Sequence, residues 1–550
     1  MKFKTNNLRN QRTIFGYAVN DFIDDNHLAR MVDAIFDAID VSYIEIKYSE
    51  HGRPAYHPRT MLKIWFYAYM NKVRSSRELA RLLEENVAYF FLSNLERPRF
   101  RILCYFRKNF AEEMEKIFAE VVAVLHKMGL VNYEKIFIDG TIMQANASKR
   151  RTKTKNKLKD EIKKLEEKVQ EHLASYFQEV EAQDEADDRV YGERRGDELP
   201  SHIAEEIKKG NLKKLVNNTL EKLPREEAEE LKRDVVELEK RYKAMEEMEQ
   251  QGEKETNLTD KDARLMKRPG KETKAGYNTQ IATENQFIIG NNVSQDKDDS
   301  HQLRPTLEKV EETRGKSLKE GANVTTDARY YNHDNLEYLD DKKLRGVIPD
   351  LQKKKNDKNK FSKDKFTYIE EEDVFVCPEG KKLHFERTGR DSRSGREVKI
   401  YRTKECKRCK YWGKCTTDKR GRSVKEDGTL LIVQEMKERV ESEEGKERLS
   451  ERKTDVEPVI GNIKQNMGHR GFSLRGIAAV RGEWTMICIA HNLKKLWLFL
   501  QELARQFRIG ISNILMLLLV KKWEPALVLK RCLLAIICFF SILLVYKCTF

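Results

Sequence analysis

The sequence predicts an α/β protein built on one mixed sheet that is broken up by insertions. Three observations carry this. A continuous apolar run, Ile136-Phe137-Ile138, ends at Asp139-Gly140. Alternating segments resume only near residue 276, after more than a hundred residues of helical pattern. The order from there is strand, strand, helix, strand, helix, strand, which is the alternation of an α/β fold. At 550 residues the chain is too long for a single core, so several domains are expected.

Residues 1–130 read as a helical domain. Leu62, Trp65, Phe66 and Tyr69 recur at helical spacing, followed by Leu79, Leu82 and Leu83. Ser75 or Ser76 is suited to cap the second of these helices, and Asn86 to break it before another short apolar helix. Two short helices across a tight turn suit a helix-turn-helix, although any helical bundle contains such turns. The basic residues Arg74, Arg77, Arg97, Arg99, Arg101 and Arg107 favour contact with DNA.

The segment 133–141 reads as a buried strand with Asp139 at its C-terminal end. Residues 151–260 form an insertion. Leu158, Ile162, Leu165, Val169, Leu173, Tyr176 and Val180 fall three and four apart, and Leu231, Val235, Leu238, Tyr242 and Met245 repeat the pattern. Two long amphipathic helices, pairing as an antiparallel coiled coil, are expected, with an acidic loop at 181–200. Such an arm would reach along DNA, join two protomers, or act only as a solvated spacer.

GYNTQIAT and QFIIGNNVS form a hairpin pattern around Glu284-Asn285. A helix over 300–312 follows, then a short strand, 322–331, carrying Asp327, a helix from about Asn332, and a strand at 345–349. Residues 351–430 are a second, basic insertion with four cysteines, and helical pattern returns at 431–510. The sheet is therefore assembled from 131–150, 261–350 and 431–510.

Charged residues make up 35 % of the chain, against about 25 % in an average protein. The balance is basic, with a formal charge of +15, which suits a polyanionic partner such as nucleic acid. Nine cysteines do not make a disulfide scaffold, and the N-terminus lacks the apolar core of a signal peptide, so a cytoplasmic location is expected. The tail, 511–550, is apolar. Its longer run, Cys532–Tyr546, has 15 residues where a membrane span needs about 20. A buried terminal helix and a tail from an altered reading frame both fit it, and a membrane partner is not expected.

Asp139 and Asp327 each follow a strand, where acids can hold divalent cations on an open surface. A third acid is expected from a helix, and Glu457 in TDVEPVIGNIKQNMGHRGF is the best placed. Pro458 suits a first helical turn, with Asp455 or Glu457 near the cap. Lys464 lies two turns further on the same face, where it would meet phosphate. Asp296, Asp299, Glu483 and Tyr277 are read as structural.

The segments IDGTIMQANASK, DARLMKRPGKETKAGYNTQIATENQFIIG, VTTDARYYN, DVEPVIGNIK and AHNLKKL resemble, in order, the landmarks of DDE transposases of bacterial insertion sequences with a ribonuclease-H-like catalytic core. The likeness runs from about residue 15 to about residue 505. It implies Asp139, Asp327 and Glu457 as catalytic acids holding two Mg²⁺ or Mn²⁺ ions. It also implies double-stranded DNA as partner (the element's terminal repeats and target DNA), a homodimer or higher oligomer, and association with the bacterial nucleoid. The family signature around the third acid is Tyr, two residues, Arg, three residues, Glu, six residues, Lys. The Glu457–Lys464 half fits, but Lys453 takes the strict Arg place and Arg452 is one residue further away. Either of the two is a candidate phosphate contact. A catalytically silent DNA-binding relative is the alternative, though it would have no need to keep all three acids.

Cys377, Cys406, Cys409 and Cys415 gather in the basic insertion. Their spacing admits a structural zinc site or four reduced thiols. Cys104, Cys488, Cys532, Cys538 and Cys548 are read as inert.

Overall fold

The computed structural model describes residues 3–4, 8–12, 16–49, 51–169, 171, 225–267, 272–350, 360–391 and 395–507. The chain divides into two compact units: residues up to Val131 together with the chain from Cys488, and Asn132–Ile487. The apolar tail and the expected loop at 181–200 lie outside the described residues, as do Leu173, Tyr176 and Val180. Among the described residues no helix is long and apolar enough to cross a membrane.

The first unit is helical. Pro58–Met70 is its central helix, buried along almost its whole length, with Leu62, Trp65, Phe66 and Tyr69 in the core. Its buried cation, Lys63, is paired at 2.6 Å with both Asp33 and Asp37 of the helix Leu28–Ala38, so burial leaves no bare charge there. Ser75 accepts from the Glu78 N–H and starts the helix Ser76–Glu85. Asn86 ends that helix and caps the next, Val87–Ser93, by accepting from Ala88 N–H at 2.9 Å. One residue thus makes the turn. Arg107 is not available to DNA: it is buried, its guanidinium lies 4.8 Å from the Trp65 ring, and it donates to the Arg74 carbonyl at 2.8 Å. Arg77, Arg97, Arg99 and Arg101 are exposed, and the guanidinia of Arg77 and Arg101 stand 5.1 and 5.9 Å from the Phe100 ring.

The second unit carries the mixed sheet. Its strands are β1 (Lys135–Gln144), β4 (Arg264–Met266), β5 (Lys274–Glu284), β6 (Phe287–Ser294), β7 (Asn323–Thr325) and β8 (Arg345–Val347). Between β1 and β4 lie β2 (Thr152–Thr154) and β3 (Glu255–Asn257), which pair only with each other. The order is β4-β5-β1-β7-β8, with β6 also on β5. β1 is antiparallel to β5 and parallel to β7, and β7 is parallel to β8. The hairpin turn is Asn285-Gln286, both with positive φ, one residue later than the expected break. Glu284 fastens the start of β1 by accepting from the N–H groups of Asn132, Tyr133, Glu134 and Lys135.

Two expectations are corrected. β1 does not stop at Asp139. It continues through Gly140 and Thr141 to Gln144, because β5 offers partners along the whole stretch from Phe137 to Gln144. Pro458 does not open a helix either. It lies inside the helix Glu443–Gly461, which Ser442 caps. Proline cannot donate to the Thr454 carbonyl four residues back. The Gln286 side chain does so instead, at 2.8 Å, which lets the helix run on.

The first insertion has the expected helical pair in its described part. The helical stretch 155–169 and the helix Arg225–Gln251 share an apolar seam of Leu158, Ile162, Val169, Leu231, Val235, Leu238 and Met248. Lys155 pairs with Glu249 at 2.8 Å and Arg241 with Glu161 at 3.0 Å, so the two run antiparallel. The second insertion is a separate five-stranded antiparallel sheet, in the order β13-β12-β11-β10-β9. These strands are β9 (Thr367–Ile369), β10 (Val374–Val376), β11 (Lys382–Arg390), β12 (Glu397–Arg402) and β13 (Ser423–Glu426).

Candidate active site

The parallel pairing of β1 and β7 ends at Phe137 and Thr325. Asp139 and Asp327 each lie two residues beyond that last pair, so the register carries both acids to the same level of the sheet. Asp327 has already left its strand. It caps the short turn Ala328–Tyr330, accepting from the Arg329 N–H at 2.9 Å.

The helix Glu443–Gly461 brings the third acid. Arg452 donates from Nη1 to Asp139 Oδ2 at 3.2 Å and from Nη2 to Glu457 Oε1 at 3.0 Å. One guanidinium therefore spans two acids that are more than three hundred residues apart in sequence. In this structure its donors face carboxylates. Lys453, at the strict signature place, is exposed. Lys464 lies in a π-helical turn, Asn462–Asn466, that widens the end of the helix. Its ammonium donates to Thr141 Oγ1 and, at 3.3 Å, to the Ile142 carbonyl, just past Asp139 on β1. Asp455, two residues before Glu457, has a packing role: it accepts from Thr283 Oγ1 at 2.6 Å and from Gln286 N–H at 2.9 Å.

The acids differ in surroundings. The Asp139 side chain keeps 18 % of its surface exposed and Glu457 48 %. Burial pushes the Asp139 carboxyl up to about 6; Arg452 opposes the rise and the charge of Asp327 adds to it. Asp327 is also raised, again chiefly by burial, against the pull of Arg329 and Arg452.

A fourth acid stands behind these three. Asp299 is buried, and it accepts from Gln280 Nε2 at 2.7 Å, Asn278 Nδ2 at 2.9 Å and Arg329 Nη1 at 3.3 Å. Tyr330 in turn donates to Gln280 Oε1. Gly140 fits against this network: a Cβ there would overlap Gln280 Nε2 and Asp299 Oδ1. The sequence gives Asp299 no more than a structural reading, because its only signal there is a place in an acidic cluster soon after β6.

Tyr277 faces inward and donates to Asp260 at 2.8 Å, as strand packing predicts. Glu483 accepts from the N–H groups of Ser473 and Leu474, also a packing role. Cys377, Cys406, Cys409 and Cys415 line a common cavity beside the five-stranded sheet. Cys104 is exposed and Cys488 buried. Among the described residues no three His, Cys, Asp or Glu side chains stand ready to hold a metal ion.

The fold and site thus define an α/β protein whose sheet and one long helix deliver acids and cations to a single place. Residues 376–497 match the family model of the transposase DDE domain, and residues 17–109 match that of a transposase domain, DUF772. The first match contains Glu457, Arg452 and Lys464 and the four cysteines, but neither Asp139 nor Asp327. The second covers the helices on both sides of Asn86. Both matches are to transposase domains, and together they support a DDE transposase of an insertion sequence, a nucleic-acid-modifying enzyme. No curated protein and no solved structure matches it.

Proposed function

We propose that the enzyme cleaves DNA strands at the ends of its insertion sequence and joins them to target DNA. Asp139, Asp327 and Glu457 are the acids that serve this reaction. The observation that carries the reading is the Arg452 bridge: a cation already lies between Asp139 and Glu457, at the level where the sheet presents Asp327. A group of acids that needs a cation in this way suits divalent metal, with oxygen donors only. Mg²⁺ or Mn²⁺, two ions held by the three acids, would activate the attacking oxygen and stabilise the leaving one.

The chain's own residues then have defined tasks. Arg452 turns from the acids to the phosphate, where its planar fork can make paired hydrogen bonds. Lys464, tethered beside Thr141, fixes a phosphate oxygen near Asp139. Gly140 keeps β1 close to the Gln280–Asp299 network, and Arg329 links that network to Asp327. The strand order β6-β5-β1-β7-β8, antiparallel on one side of β1 and parallel on the other, is consistent with a ribonuclease-H-like core made of 131–150, 261–350 and 431–510. The helical domain of residues 1–130 grips the terminal repeat through Arg77, Arg97, Arg99 and Arg101. The helical pair in 151–260 serves as a coiled-coil arm, and cutting two ends together calls for at least a dimer on DNA in the nucleoid.

The test is a labelled duplex carrying the element's end, incubated with Mg²⁺ or Mn²⁺. Asp139→Asn, Asp327→Asn and Glu457→Gln are expected to bind it like the parent and to nick and join it at least about a hundredfold more slowly, as when one preorganised charge contact is lost. A parent that binds and never cuts would favour a silent DNA-binding relative. A variant that still cuts would remove its residue from the site.

A further inference from the structure

We propose that Cys377, Cys406, Cys409 and Cys415 bind one structural Zn²⁺ that pins the five-stranded sheet together. The inference is independent of the catalytic reading. All four thiols line one cavity, walled on its apolar side by Phe361 and Trp412. They come from two backbone segments, and each is shaped by its own hydrogen bonds. At the first, Cys377 N–H donates to the Lys381 carbonyl at 2.9 Å, Gly380 N–H donates to the Cys377 carbonyl at 2.8 Å, and Lys381 N–H donates to Cys377 Sγ at 3.4 Å. A sulfur that already accepts a backbone N–H is prepared to carry negative charge. At the second, Cys409 N–H donates to the Cys406 carbonyl at 3.0 Å, and a further turn brings Cys415 N–H to the Tyr411 carbonyl at 2.9 Å. Gly421, at φ +94°, packs on this segment so closely that a Cβ would come within 3.1 Å of Cys406 Cβ.

Every one of the four is a free, partly buried thiol, and no three of them stand in metal-binding geometry in this structure. Cys415 lies within electrostatic reach of the other three and of Arg422. Binding would draw the four sulfurs together on the ion. Four thiolates on Zn²⁺ carry two net negative charges; Arg422 on the cavity wall offsets part of this, while Lys381 is paired with Glu405 at 3.2 Å and the wall also carries Glu379. Four protein ligands leave no open position, so the ion would be structural and not a second reaction centre.

The sheet has a physical need for such a link. Among the described residues its core cluster is Phe366, Phe375, Leu383, Tyr401 and Val424, with Tyr368, Cys377 and Leu430 packed against it. Small modules with so little apolar burial usually depend on a metal, a disulfide or a partner surface.

The experiment uses the full chain, purified from zinc-supplemented culture, with elemental analysis, thiol counting and replacement by Co²⁺. The expected result is about one zinc per chain. Thiols should be shielded until a chelator or thiol reagent removes the metal, and the Co²⁺ form should show thiolate-to-cobalt charge-transfer absorption. Cys406→Ser and Cys409→Ser should lose the zinc, while Cys104→Ser and Asp139→Asn keep it. The Co²⁺ spectrum of the parent chain stands even if a cysteine variant fails to fold. Metal-free protein with no charge-transfer band on adding Co²⁺ would overturn the proposal. So would zinc retained in full by Cys406→Ser, or four cysteines found as disulfides.

Discussion

Asp139→Asn should make the metal-free protein more stable while slowing cleavage at least about a hundredfold. The carboxyl has its pKa pushed up to about 6, from an ordinary 3.8, and burial is the main cause. In the window between those two values the folded state holds a proton that the unfolded chain has released. Stability therefore falls as pH rises through the window, and below it the effect vanishes. A rise of about two units corresponds to about 3 kcal/mol at neutral pH, net of what Arg452 returns. Asparagine has the shape of the protonated acid and no charge to desolvate. The stability gap between variant and parent should thus be near zero at pH 3.5 and grow to about 3 kcal/mol by pH 7. Denaturant melts in chelator, from about pH 3.5 to about pH 8, measure it. Divalent metal should then stabilise the parent and shift the variant far less, since binding to the native state adds stability in proportion to the logarithm of occupancy. A gap that does not change with pH would refute the argument, because it would mean that Asp139 is solvated and free to ionise.

Gly140→Ala puts a methyl into Gln280 and Asp299, so it should cost about 1–3 kcal/mol and slow cleavage, read by melts and by the nicking assay. A drop in activity with unchanged stability would argue against an overpacked site. Arg77→Ala with Arg101→Ala should weaken duplex binding and flatten its dependence on salt by nearly one log unit per lost phosphate contact, measured by titration at several ionic strengths. Arg107→Met should leave that slope alone and destabilise the helical unit, because its guanidinium lies on Trp65 in the core. A changed slope for Arg107→Met would return that residue to the DNA-facing set.

Much of this arrangement could be read from local pattern. Asn86 has the side chain of a helix breaker and also of a cap, and it does both jobs. The hairpin of β5 and β6 and the helix starting after Asn332 carry their own turn and cap signals. What could not be read depended on distant partners. Gly140-Thr141 looks like the end of a strand until β5 is laid beside it. Pro458 looks like a helix start until Gln286 takes the carbonyl that proline leaves unpaired. Arg107 belongs to a run of surface arginines by composition, and only the position of Trp65 puts it inside. Asp299 is one acid among many until Asn278, Gln280 and Arg329 converge on it.

On the proposed reading, the charge balance of the site explains how Arg452 can miss the strict signature place and still serve. Asp139, Asp299, Asp327 and Glu457 bring four negative charges to one end of the sheet, and two of these groups sit where ionisation is costly. Arg329 answers Asp299 and Asp327, Arg452 answers Asp139 and Glu457, and Lys464 adds a third cation at Thr141. What the acids need is a donor fork that reaches both, and a guanidinium five residues before Glu457 does so because its stem is long and its two terminal nitrogens point apart. Lys453, at the strict place, is exposed, and an ammonium there would be a single point charge without a fork to bridge both acids. With the acids balanced in this way the site can fold at neutral pH before it meets metal or DNA. On the proposed reading, divalent ions then convert a nearly neutral cluster into a positive one. The arginine they release is delivered to the phosphate at the moment it has lost its carboxylate partners.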